Sequence, residues 1–261
     1  MAVTPWFERE VQHASQLSHP NTIQIYDYGH TPAGVFYYAM EYIDGVTLVD
    51  LLRLEGAIPA AQVVHLIRQV CLSLREAHSQ NLIHRDIKPQ NIMVCQRGGQ
   101  GDVIKVLDFG LVKNVSENAS PQLASTGAFF GTPLYMSPER LRDPLNVDAR
   151  ADIYAIGAVA FELLTARPVF IGTSQADILD KAMNAKPERV SSLAPRPVPS
   201  ELDDLIDACL AKDPNERPGS IDVILAVLDS LKCEGRWGET DALLYWERFE
   251  SGPGAETVTF G

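Results

Sequence analysis

Between Ile83 and Asn91 the chain reads Ile-His-Arg-Asp-Ile-Lys-Pro-Gln-Asn, and from Leu107 it reads Leu-Asp-Phe-Gly. Together these runs supply a carboxylate (Asp86), an ammonium (Lys88), a carboxamide (Asn91) and a second carboxylate (Asp108). The spacings are those that phosphoryl transfer from Mg-ATP requires. Taken singly, each residue has an ordinary structural role: a buried acid in an ion pair, a surface lysine, a turn asparagine, a chance tripeptide. Found together and in this order, the four point to a reacting site.

The two runs resemble the catalytic core of the protein kinases. Gly131-Thr132-Pro133-Leu134-Tyr135-Met136-Ser137-Pro138-Glu139 is similar to that family's substrate-docking and Ala-Pro-Glu segment, with Ser137 in place of alanine. Lys88, two residues after Asp86, follows the serine/threonine pattern, and the motifs look most like those of the bacterial members. The resemblance implies ATP and Mg²⁺ as cofactors and a protein serine or threonine as acceptor. On it, Asp86 would accept the hydroxyl proton, Lys88 would neutralise the γ-phosphate, and Asn91 with Asp108 would hold Mg²⁺ through hard oxygen ligands.

Further roles rest on the same resemblance. Met40 stands as gatekeeper, Glu41 and Ile43 as hinge residues offering backbone groups to adenine, and Met93 as the pocket floor. Thr132 is expected to bridge Asp86 and Lys88, Glu139 to pair with Arg217, and Asp152 to stand with Gly157 on the central helix of the larger lobe. Arg85 implies phospho-regulation through Ser125 or Thr126. Glu10 sits where the family places the glutamate of its αC helix, whose partner is a lysine on the strand preceding that helix.

That lysine has no candidate here, because no lysine precedes Lys88 and the first forty residues hold no closely spaced glycines. The expectation is therefore a kinase catalytic domain truncated at its N-terminus and impaired in activity. The alternative is a pseudokinase acting as a protein-interaction scaffold. Losing one charge-stabilising donor at such a site costs roughly 3–4 kcal/mol, and the whole phosphate roof costs more.

The elements that must position these residues give an α+β, kinase-like fold: a mostly helical C-lobe with a remnant N-lobe of αC and two antiparallel strands. Thr4-Pro5 starts a helix running to about Leu17. Strands are expected at 23–28 and 35–41, then at 92–95 and 103–107. Between the second pair, Arg97-Gly98-Gly99-Gln100-Gly101 invites comparison with a phosphate-binding loop. No helix follows, which favours a tight hairpin turn. Val63, Leu66, Ile67, Val70, Cys71 and Leu74 form one stripe of a helix over 60–79. Further helices are expected over 151–166, 174–184, 200–211, 220–232 and 240–249, with a flexible tail from Ser251. The domain reading is a partial N-lobe over 1–42, a C-lobe over 43–233 and a C-terminal extension over 234–261, where the Trp246 region could dock a partner protein.

At 261 residues and 46% apolar content the chain has ample material for a core. Its net charge of −12 disfavours nucleic acid and anionic membrane surfaces. The four cysteines lie far apart, suggesting neither a zinc site nor a disulfide framework. The apolar run 153–164 is too short to cross a bilayer, which needs about 20 residues. A cytoplasmic protein is expected.

Overall fold

The computed structural model describes residues 11–109, 133–144, 146–231 and 237–251. The expected α+β class is observed. Residues 11–14 are helical, and bonds from Gln16 to His13 and from Leu17 to Ala14 tighten the end of that turn. Two strands follow, β1 (Ile25–His30) and β2 (Phe36–Met40), paired antiparallel from Ile25↔Met40 to His30↔Phe36. The chain then makes a short strand β3 (Gly45–Thr47) and a helix α1 (Leu48–Glu55). Neither was expected from sequence, although Thr47-Leu48-Val49-Asp50 is a capping box: the Thr47 side chain takes the Asp50 amide and Asp50 returns to the Thr47 amide.

Helix α2 (Ala60–Ser79) buries the whole predicted stripe. Beyond the Asp86 loop, β4 (Ile92–Arg97) and β5 (Gln100–Val106) form a hairpin whose turn is Gly98-Gly99, with φ of 59° and 80°. Positive φ at both centres is the geometry of a two-residue turn that only glycine or asparagine adopts cheaply, so the glycines make a turn and not a phosphate loop. β3 adds to the other edge of β4, giving the order β3-β4-β5. It fits because Gly45 lacks a side chain; a Cβ there would meet the Val94 carbonyl at 2.4 Å.

Strand β1 begins two residues later than expected, for a clear reason. The Ile23 amide bonds to the Val106 carbonyl and the Val106 amide to the Asn21 carbonyl, so residues 21–23 are committed to β5 before β1 begins. The rest is helical: α3 (Pro138–Arg142), α4 (Arg150–Thr165), α5 (Gln175–Asn184), α6 (Ser200–Cys209), α7 (Ile221–Ser230) and α8 (Glu239–Ser251). α4 is buried all round, as a helix apolar on every face must be. It packs against α2 and α6, and α7 closes on α2.

α8 runs to Ser251, where a flexible tail was expected, and it lies along β5. The approach is close enough that a Cβ on Gly101 would stand 2.8 Å from the Ala242 backbone. Two indoles, Trp237 Nε1 and Trp246 Nε1, each donate at 2.8 Å to the buried Asp102 carboxylate, which also accepts from Gln62 at 3.0 Å. The Trp246 region thus faces the core. Among the described residues no helix is long and apolar enough to cross a membrane.

Candidate active site

The loop between α2 and β4 carries Asp86, Lys88 and Asn91, and its shape is set from below by α4. Asp152, on the first turn of α4 and almost wholly buried, accepts from the His84 amide at 2.8 Å and the Arg85 amide at 2.8 Å. His78 Nε2 lies 2.8 Å from the same carboxylate. Burial raises the Asp152 carboxyl, but His78, His84 and the amide bond overcome it and hold the group below the usual range. Two anchored amides keep Arg85 at a φ of 64°, a conformation that costs a non-glycine residue on the order of 1 kcal/mol or more.

His84 is fully buried, and burial lowers its pKa, which keeps the ring neutral. Its Nδ1 accepts from the Asp86 amide at 3.2 Å, so its Nε2–H is the group that donates to the Leu107 carbonyl at 2.8 Å. One imidazole therefore ties the Asp86 loop to the residue before Asp108. The adjoining Phe109 ring packs against it, tilted by 46° with ring centroids 4.5 Å apart. From the other side the Leu107 amide bonds to the Asn91 carbonyl at 2.9 Å.

Three of the polar residues converge directly. Lys88 Nζ is 2.8 Å from Asp86 Oδ2, and Asn91 Nδ2 donates to the Asp86 carbonyl at 2.9 Å and to Oδ2 at 3.1 Å. With its nitrogen so occupied, Asn91 keeps its side-chain oxygen for a cation. Asp108, at φ 50°, accepts from the Tyr38 hydroxyl at 3.5 Å. Tyr38, Met40, Asp108 and Phe109 line one small cavity with Ile23 and Ile25. An amide oxygen and a carboxylate are hard ligands of the kind Mg²⁺ takes when substrate phosphates supply the rest.

The remaining sequence candidates fall into three groups. Met40 is 46% exposed and Ile43 and Met93 are half-buried. Glu41 donates its amide to the Gln24 carbonyl, leaving its own carbonyl as the backbone group it can offer. Arg217 and Glu139 form a two-pronged pair at 2.7 Å and 2.7 Å, and Arg217 further donates to the Ala211, Arg150 and Lys212 carbonyls. Glu10, Ser125, Thr126 and Thr132 lie outside the described residues.

Sequence reading missed His78, His84 and Tyr38 as supports, and it missed the side chain of Glu41. That carboxylate is buried between Lys105 and Arg97. A lysine between Ile104 and Val106 was the available signal.

Known proteins resemble this chain in sequence and fold. A family model described as "Protein kinase domain" matches residues 5–227. The serine/threonine-protein kinase pkn3 of Myxococcus xanthus is 37% identical over 232 residues, covering 88% of this chain and 42% of that protein. Serine/threonine-protein kinase PknB of Mycobacterium tuberculosis is 36% identical over 214 residues, covering 81% of this chain and 33% of that protein. The chain thus spans less than half the length of these relatives. Among solved structures, the PknI kinase domain of Mycobacterium tuberculosis matches with a TM-score of 0.64 and 25% identity, covering 88% of this chain and 81% of that one. Rad53 in complex with AMP-PNP matches with a TM-score of 0.67 and 25% identity, over 85% of this chain and 54% of that one. The chain belongs to the protein kinase family, alongside the bacterial serine/threonine kinases, and so to a family of enzymes that use ATP.

Proposed function

We propose that this chain carries the reacting half of a serine/threonine protein kinase site, in which the ATP γ-phosphoryl group passes to a protein hydroxyl. The observation that carries this is the cluster of Asp86, Lys88 and Asn91 within hydrogen-bond distance, tied through His84 to the Leu107 carbonyl beside Asp108. Asp86 takes the hydroxyl proton, and Lys88 offers its charge to the γ-phosphate while orienting the carboxylate. Mg²⁺, when bound, would neutralise charge on the phosphate oxygens, with Asn91 and Asp108 as its protein ligands. Met40, Glu41, Ile43 and Met93 frame the adenine. Arg85 receives a phosphorylated Ser125 or Thr126, Thr132 bridges Asp86 and Lys88, and Glu10 belongs to the αC helix. Asp152, Glu139 and Arg217 hold the lower lobe.

Residues 1–42 form the smaller lobe's share of the site, 43–233 the larger lobe, and 234–261 an added extension. A partner at the extension would meet its outer side, where Leu244 is exposed, because Trp246 is buried. Three buried cysteines without disulfides, Cys71, Cys95 and Cys209, support a cytoplasmic setting. Because no lysine precedes Lys88, we propose that residues 1–261 alone transfer phosphate weakly; the same observation supports the second reading, a scaffold without catalysis.

The test is incubation of the folded chain with Mg-ATP and a generic serine/threonine peptide, read by intact mass. Asp86→Asn is expected to remove whatever transfer the wild type shows, a loss of about 10²–10⁴-fold, with its melting temperature unchanged. Supplying a lysine-bearing strand and a glycine-rich strand upstream is expected to raise the wild-type rate. A chain that still neither binds nucleotide nor transfers phosphate after that addition would be the scaffold.

A further inference from the structure

Behind the hinge, on the face away from Asp86 and Asp108, the segment 18–26 and the β4–β5 hairpin enclose a cleft of about 470 Å³. Its volume falls within the range of small-molecule sites. One acid lines it, Glu41, and both of its oxygens are spent; Glu76 adjoins it, with its carboxylate taken by the Ser18 and His19 N–H groups and the Ser18 hydroxyl. Glu41 Oε1 accepts from Lys105 Nζ at 2.6 Å and from the Gln24 amide at 2.8 Å, and Glu41 Oε2 accepts from Arg97. The two cations outnumber the one anion, so the cluster carries a net charge of +1 within a chain of net −12.

The donors, by contrast, are not spent. Lys105, its side chain only 5% exposed, uses two of its three N–H groups, on Glu41 and on the Thr22 carbonyl. Arg97 commits one nitrogen to Glu41 and presents the rest of its guanidinium at the rim, where its side chain is 55% exposed. His19 accepts from the Asn21 amide through Nδ1, which leaves an Nε2–H. The side-chain carboxamides of Gln24 and Gln100 also belong to lining residues, and no side chain among the described residues pairs with either carboxamide. Tyr26, 67% exposed, adds an aromatic face at the mouth.

A cleft with spare donors on five side chains and a saturated acid selects an acceptor-rich anion. A carboxylate would satisfy the Arg97 fork and little else. A phosphomonoester, with close to two negative charges and three strong acceptor oxygens, matches both the count and the charge. We propose that this rear cleft is a binding site for a phosphomonoester carried on a small body that covers the Tyr26 ring, as a phosphorylated serine or threonine side chain would. The site lies beside Glu41, the residue after Met40, so its occupant would compete with Glu41 for Arg97.

The test is a titration of the full chain, followed by ¹H–¹⁵N spectra of the Arg97 guanidinium and the Gln24 and Gln100 amides. The probes are a capped phosphoserine tripeptide, its unphosphorylated form and inorganic phosphate. Saturable shifts with the phosphopeptide are expected, about tenfold weaker in Arg97→Gln, weaker in the surface variant Tyr26→Ala, and unchanged in Asp108→Asn, which separates this site from the nucleotide cleft. Tighter binding of the phosphopeptide than of phosphate would assign a peptide-borne ligand, and equal binding a free one. Absence of saturable shifts in the folded wild type would overturn the proposal. So would equal affinity for the unphosphorylated peptide, or undiminished affinity in both the Arg97 and the Tyr26 variants.

Discussion

Two buried aspartates organise opposite faces of this protein, and they do so by different means. Asp152, under the catalytic loop, meets two backbone amides and a histidine, a set that welcomes negative charge. Asp102, under the rear helix α8, meets three neutral side-chain donors, from Gln62, Trp237 and Trp246. Burial pushes the Asp102 carboxyl up and its three hydrogen bonds only partly offset that, whereas Asp152 is drawn down. The front anchor fixes a backbone; the rear anchor fastens one element onto another. An acid that shapes a backbone is irreplaceable at short range, while one that joins side chains can be approximated by another acceptor.

The sharpest way to break the comparison is to remove the front anchor. Asp152→Ala leaves two buried amides and His78 without an acceptor and frees the strained Arg85, so denaturant unfolding should show a loss of roughly 3–5 kcal/mol. Equal tolerance of this change and the next would erase the distinction. Asp102→Asn keeps one acceptor oxygen and should cost about 1–3 kcal/mol. Tryptophan emission should shift to the red as α8 loosens, and nucleotide-site residues should be unmoved in NMR spectra.

The smallest effect is in pH, and its signs are opposite. Asp152 has a lowered folded pKa, so its stabilisation is present above the unfolded value of about 3.9 and is lost as pH falls through the folded value. Asp102 has a raised folded pKa, so its stabilisation is greatest below the unfolded value and is lost as pH rises through the folded one. Unfolding free energies of wild type and Asp102→Asn measured between acid and neutral pH should therefore converge as pH rises. The gap between wild type and Asp152→Asn should widen over the same range.

The front face was legible in the sequence because its chemistry is local: Asp86, Lys88 and Asn91 lie within six positions, and one loop brings them together. The helices were legible too, since the stripe from Val63 to Leu74 has helical spacing. The rear face was not. Asp102 and Trp246 are separated by 144 positions, and no periodicity announces such a pairing. The strand expectation began only at Val103 because a buried acid looks like a strand end, and Lys105, inside that expected strand, was hidden as the partner of Glu41 because the two are 64 positions apart. β3 and α1 were missed although the Thr47–Asp50 capping box is visible in the letters, because nothing local marks Gly45, just past the hinge residues Glu41 and Ile43, as the residue that lets two backbones touch.

The turn at Gly98-Gly99 gives the hairpin its count. In a strand, side chains alternate between faces, so the residues after the turn are indexed from it and from the bulge at Asp102, where φ is 52°. Asp102 reaches the rear helix, Lys105 reaches Glu41, and Asp108 enters the cleft by virtue of their distance from those two glycines. Substitutions at the turn are thus a question of local comfort, but a single inserted or deleted residue would put Gly101 or Val103 where Asp102 belongs and turn Lys105 away from Glu41. Length, and not composition, is what this turn must conserve.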